Sequence, residues 1–148
     1  MSKISITAKQ AAQVQQSCIC LHLQKAARAA ARQFDEAFRP LGITSGQYSL
    51  LVSLVRSKPP SIGQLALQMA MDRTTITANI KPLKKQGLLK AVPDPEDARS
   101  RLLTLTPAGK AVLGKALPLW KAAQNNTLEF LSSEEAKQLR INLRELAN

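Results

Sequence analysis

Apolar positions recur at steps of three and four from Gln13 to Phe38, where Leu23, Ala27, Ala30, Phe34 and Ala37, continued by Leu41, form one stripe. Lys25, Arg28, Arg32, Glu36 and Arg39 take the other side, so the segment is predicted to be one amphipathic helix, ended by Pro40 and Gly42. Asp35 stands four residues before Arg39, the favourable order for a helical ion pair. Thr44 is placed to cap a second helix over 45–57, which Lys58, Pro59 and Pro60 break. Ser61 caps a short third helix over 62–70, with Ile62, Leu65, Ala66 and Met69 on one side. Asp72 is the N-cap acceptor of a fourth helix that ends at Gly87.

The period then changes from helix to strand. Leu88–Val92 and Arg101–Leu105 read as two short strands around the charged, turn-forming stretch Pro93 to Ser100. Thr106 and Pro107 open another helix as cap and first residue, and Pro118 is expected to kink or divide it before Trp120. Ser132 to Glu135 is a capping box for a last helix over 133–146. Two short helices joined by a tight turn and followed by a hairpin form a helix-turn-helix with a wing. The predicted class is mainly α with a small β-hairpin wing.

Charge gives this pattern a partner. Among 148 residues, 21 Lys and Arg face 10 acids, a net charge of +11 that calls for a polyanion. Aromatic residues at 3% are too few for a base-stacking platform. No apolar run approaches a membrane span, and Met1–Gln16 lacks a signal-peptide pattern, so no membrane and a cytoplasmic location are expected. One histidine, no Gly-rich phosphate loop and no nucleophile elbow argue against an enzyme, and no catalytic residue, cofactor or metal site is assigned.

On the fourth helix, Ile76, Ile80 and Leu83 mark the buried side at 100° per residue. Thr74, Ala78, Lys81 and Lys85 point away, with Thr75 and Thr77 on the flanks and Arg73 at the start. A face of hydroxyls and cations suits the major groove of double-stranded DNA, whereas the plain alternative is a solvated helix. In the hairpin, Arg99 is placed to enter the minor groove and Arg101 to contact phosphate; an Asp97–Arg99 pair that only shapes the turn is the bland reading.

The stretch Ile62 to Thr77 resembles the helix-turn-helix of the MarR family of winged-helix transcription regulators. Asn79 to Gly87 resembles the end of that family's recognition helix, Asp94 to Leu102 its wing with an Asp-x-Arg pattern, and Leu105 to Gly109 the start of the helix that follows. The likeness runs from about Cys18 to Trp120. It implies a homodimer on a palindrome, with residues 1–44 and 106–148 as the helical dimerisation region and 45–105 as the DNA-binding lobe. It also implies a small organic effector, often an aromatic acid or its conjugate, that releases DNA. Phe34, Phe38 and Tyr48, with Trp120, are the aromatic candidates for its cleft, and His22 or Arg28 for its charge. Two departures stand out: Ala78 occupies a slot where relatives often carry Arg, and Ala70 replaces the usual turn glycine, which predicts a turn without positive φ.

Cys18, Cys20 and His22 admit two readings. Cys18 and His22, one helical turn apart, share a face for metal or redox chemistry, while Cys20 is expected on the core side as a small hydrophobe. Packing is the preferred reading. The main reading is therefore a dimeric repressor released by an effector. The alternatives are a nonspecific basic nucleoid or RNA-binding architectural protein, or a Cys-based redox or metal-sensing regulator.

Overall fold

The structure is a computed structural model that describes residues 5–148. The parts of the 1–44 segment and of the Met1–Gln16 reading that fall on residues 1–4 lie outside the described residues. Along the chain run α1 (Ala8–Ser17), α2 (Ile19–Phe38), a 3-10 turn (Arg39–Leu41), α3 (Ser45–Ser53), α4 (Ile62–Gln68) and α5 (Arg73–Lys85). The hairpin β1 (Leu89–Pro93) and β2 (Arg101–Leu105) follows, then α6 (Pro107–Thr127) and α7 (Ser133–Ala147). No described helix is long and apolar enough to cross a membrane.

Local capping chemistry sets the helix starts. Thr44, Ser61 and Ser132 each accept a bond from the third helical amide, while the Gln or Glu there reaches back to the cap amide. Asp72 Oδ1 accepts the Thr75 amide at 2.7 Å, and Thr106 Oγ1 accepts that of Gly109 at 3.1 Å. Gly42, at φ 68°, closes the 3-10 turn in the left-handed region.

One core holds these elements together. Phe38, Leu50, Leu51, Leu65, Ile76, Leu83, Leu89 and Leu103 are all within 2% of full burial, each worth roughly 1.5–3 kcal/mol relative to exposure. The alanine stripe of α2 lies against α6, whose Ala116 and Ala123 are buried in turn, so small residues on both helices allow close approach. In the hairpin, Leu89 pairs with Leu105 and Pro93 with Arg101. The Pro60 carbonyl accepts the Leu103 amide at 2.9 Å and Ser61 bridges to Leu102, so the chain before α4 lies along the outer edge of β2.

Four local expectations change, and that for Pro118 is narrowed to a kink. The predicted first helix is broken at Cys18, whose ψ of 109° separates α1 from α2. Asp35 does not pair with Arg39; its Oδ1 accepts the Ser45 amide at 2.6 Å, tying α2 to α3, and Arg39 pairs with Glu36. The second helix stops at Ser53 instead of 57, where Leu54 turns into the core. Pro118 does not divide α6, which runs from Pro107 to Thr127. Ala70 has φ 51°, against the expected negative value. The reversal into α5 requires it: the Met71 amide reaches the Ala66 carbonyl at 2.9 Å, the long bond of a left-handed helix cap, while Met69 and Met71 pack against the core on either side.

Candidate nucleic-acid interface

Burial of Ile76, Ile80 and Leu83 fixes the rotation of α5 and leaves Arg73, Thr74, Thr75, Thr77, Ala78, Lys81 and Lys85 exposed. The hydroxyl groups differ. Thr75 Oγ1 donates to Asp72 Oδ2 at 3.1 Å and Thr77 Oγ1 donates to the Arg73 carbonyl at 2.8 Å. These two therefore direct their protons into their own helix and offer methyl groups and lone pairs outward. The Asp72 carboxyl is held below the usual carboxylate range, first by the Thr75 amide and then by its hydroxyl. The cap thus stays charged and fixes the first turn of α5.

Arg73 lies beside the start of α4, where a Cβ built on Gly63 would stand 3.9 Å from its guanidinium carbon. Lys84 is a further exposed cation of α5, off the outermost face from which the sequence-predicted contacts are read. Seven residues after Thr77, it shares that flank and lines a groove of about 330 Å³ between α5 and the wing with Thr77, Lys81 and Arg101. This spacing was the signal that could have found it.

The wing tip is shaped by two aspartates. Asp94 Oδ1 accepts the Glu96 amide and Asp97 Oδ1 accepts the Arg99 amide, each at 2.9 Å. Asp97 thus grips the backbone of Arg99 and not its guanidinium, which projects from an exposed residue. Arg101 Nη2 donates to the Ala91 carbonyl at 3.3 Å, bracing the hairpin. The arrangement is an exposed cationic helix beside an exposed arginine tip.

A model of the MarR family matches residues 41–100. The crystal structure of the M. tuberculosis transcriptional regulator MOSR in complex with DNA superposes with a TM-score of 0.81 at 30% identity, covering 88% of this chain and 94% of that one. The chain belongs to the MarR family. It is a DNA-binding transcription regulator of the winged-helix kind and not an enzyme. The organic hydroperoxide resistance transcriptional regulator of Bacillus subtilis is 29% identical over 122 residues, 82% of each chain. Bordetella bronchiseptica BpsR, whose structure concerns regulation of DNA binding by 6-hydroxynicotinic acid, is 25% identical with a TM-score of 0.79, covering 89% of this MarR-family chain and 100% of that one.

The residues expected at an effector cleft are only partly brought together. The Phe38 and Tyr48 rings lie 4.6 Å apart and those of Phe34 and Phe38 6.3 Å apart, but Phe38 is fully buried. Burial also raises the Tyr48 phenol above its ordinary pKa. Beside them, Tyr48, Val52, Ser53, Met69, Leu117 and Trp120 line an open pocket of about 400 Å³ with no charged residue on its walls. Arg28 and His22 are not brought there. They precede Phe34 on α2 by six and twelve residues, about 9 and 18 Å along the helix axis. His22 Nδ1 instead lies 2.8 Å from the Cys18 carbonyl. Cys20 is exposed and Cys18 half-buried, so within the chain neither packs as a core hydrophobe. Cys20 keeps the phase of the α2 stripe, three residues before Leu23, but no described element of the chain covers that end of the helix.

Proposed function

We propose that the protein is a dimeric repressor that binds a palindromic operator and is released by a small organic effector. The outward face of α5 beside the unpaired Arg99 tip carries this reading. Thr74, Lys81 and Lys85 enter or flank a major groove, while Arg99 reaches the adjacent minor groove. Replacing Arg99 by Ala is expected to weaken binding to a palindromic promoter fragment by roughly 1–3 kcal/mol. Unchanged anisotropy-measured affinity would remove the wing from the interface.

The division into a reading lobe over 45–105 and a helical region from 1–44 and 106–148 rests on unpartnered apolar surface. Leu139, Leu143 and Leu146 follow one stripe of α7 and are 39%, 42% and 58% exposed, and Phe130 just before it is 76% exposed. Between α2 and α7 lies an apolar gap of about 460 Å³, lined by Leu23, Ala27, Phe130, Leu139 and Leu143. A second copy of the chain is the cover for such a face in a homodimer. Sedimentation at micromolar concentration tests it, and a monomer there would count against the palindrome as well.

The effector reading is supported by the pocket at Tyr48 and Trp120, between the reading lobe and α6, and by the ligand named for the Bordetella relative. Its walls favour an uncharged aromatic body with hydroxyl contacts from Ser49 and Ser53. A second reading, thiol sensing, is favoured by the helix break beside two unburied cysteines and by the name of the Bacillus relative. An organic hydroperoxide would oxidise one thiolate to a sulfenic acid with release of an alcohol, and the other thiol would then close a disulfide with loss of water. Hydroperoxide that releases DNA from the parent but not from Cys18→Ser and Cys20→Ser proteins would favour it over a reversible effector.

A further inference from the structure

A recognition helix brings its N-terminal residues to the base edges, so the first two turns of α5 carry the sequence reading. Their longer donors are turned elsewhere. The Arg73 guanidinium lies beside Gly63 at the start of α4, and Asn79 is half-buried. Thr74, Thr75, Thr77 and Ala78 remain exposed. Of these, Thr75 and Thr77 spend their hydroxyl protons on Asp72 Oδ2 and the Arg73 carbonyl, at 3.1 and 2.8 Å. Thr74 keeps a single hydroxyl, which suits any base edge. Ala78, two residues after the fully buried Ile76, stands on the outermost line of the helix with one methyl group. Lys81 and Lys85 follow on that side, where their long stems suit the phosphates of the groove wall.

In the major groove guanine offers two acceptors, which a forked cationic donor reads, whereas adenine offers an amino donor and thymine a methyl group. The front of α5 presents methyl groups and oxygen lone pairs where a guanine reader has a cation. A short side chain on the outermost line also lets the helix backbone approach the bases closely. We propose that Ala78 and Thr77 are specificity-determining residues that read thymine methyl groups, while Thr75 and Thr77 accept from the adenine amino group. Both marks belong to one base pair, so the half-site beneath α5 is rich in A·T pairs. This deepens the operator reading given above and rests on it. Arg99 in the minor groove favours A·T sequence as well, but the thymine methyl faces the major groove alone and so separates the two contributions.

The test begins with the full chain selecting duplexes from a random-sequence pool. Each thymine of the selected duplex is then replaced by deoxyuridine, which removes the methyl and leaves the minor-groove edge unchanged. Affinity measured by anisotropy is expected to fall roughly fourfold for each contacted methyl. Ala78→Gly and Thr77→Ser each remove the protein's half of one contact, and Thr77→Ser keeps the hydroxyl. In each variant the uracil substitution opposite the lost methyl should cost less than about twofold. Circular dichroism reports whether each variant is folded, and the uracil series on the parent stands without either. Affinity unchanged across the uracil series, or uracil penalties in both variants equal to those in the parent, would overturn the proposal and leave site-specific binding intact. A pool that yields no consensus would overturn it together with the operator reading.

Discussion

Two glycines of α6 give a stability comparison with opposite signs. A Cβ added to Gly109 would stand 2.0 Å from the Leu88 carbonyl oxygen and 3.1 Å from Leu105 Cδ2. A comfortable carbon–oxygen approach is about 3.3 Å, so backbone must retreat by about 1.3 Å. That oxygen accepts the Thr106 amide at 3.1 Å, and the neighbouring Gly87 carbonyl accepts the Thr106 hydroxyl at 2.5 Å. The retreat therefore strains the cap of α6 together with its seat on the wing. Overpacking costs about 1–3 kcal/mol and a lost hydrogen bond about 1, against a gain of about 1 from alanine's better helix propensity. Gly109→Ala is expected to destabilise by about 2 kcal/mol net. Gly114, five residues on, has nothing within 4 Å of its added Cβ. Gly114→Ala should stabilise by about 0.5–1 kcal/mol. Urea unfolding at one fixed protomer concentration measures both, because any dimer makes the midpoint depend on concentration. A Gly109→Ala protein within about 0.5 kcal/mol of the parent, or two shifts of the same sign, would refute this account of how α6 is seated.

Ala70→Gly should raise stability by about 1 kcal/mol, because glycine holds the positive φ of that turn without the Cβ penalty; a lower midpoint in urea would show the turn to be unstrained. Thr104→Val should also stabilise, by about 1 kcal/mol, through loss of an unpartnered hydroxyl at nearly constant shape, and a lower melting temperature would mean the hydroxyl has a partner in solution. Asp72 and Glu135 both have pKa values depressed by hydrogen bonds, from Thr75 and Ser132 respectively. Their stabilisation is present above the unfolded value near pH 4 and is lost as pH falls through the lower folded values. An Asp72→Asn/Glu135→Gln protein should accordingly show a flatter decline in helical circular dichroism between pH 5 and 2, and an unchanged profile would count against the cap assignment.

What the sequence made legible was local. Thr44, Ser61, Asp72, Thr106 and Ser132 announce helix starts because each cap is satisfied within three residues. The buried side of α5 followed from the spacing of Ile76, Ile80 and Leu83 for the same reason. What escaped was set by distant partners. Asp35 prefers the Ser45 amide to Arg39 only once α3 has folded against α2. Ala70 adopts a left-handed backbone because the core draws in Met69 and Met71 from either side. Cys18 breaks a helix with neither proline nor glycine to mark the place. At the interface, α5 and the wing were readable as cationic surfaces, but the inward aim of the Thr75 and Thr77 protons depends on side-chain rotamers that spacing does not specify.

The strip of chain along β2 has a consequence for the protein at high concentration. A two-stranded ribbon ordinarily presents two open edges, each able to recruit a foreign strand and begin aggregation. Here the Pro60 carbonyl takes the Leu103 amide and Ser61 bridges Leu102, which closes one edge with a segment whose proline has no amide to extend the ladder. The other edge, β1, carries the exposed charge of Lys90 and ends at Pro93. Wings crowded along a promoter are thereby kept from pairing with one another and left available to the nucleic acid.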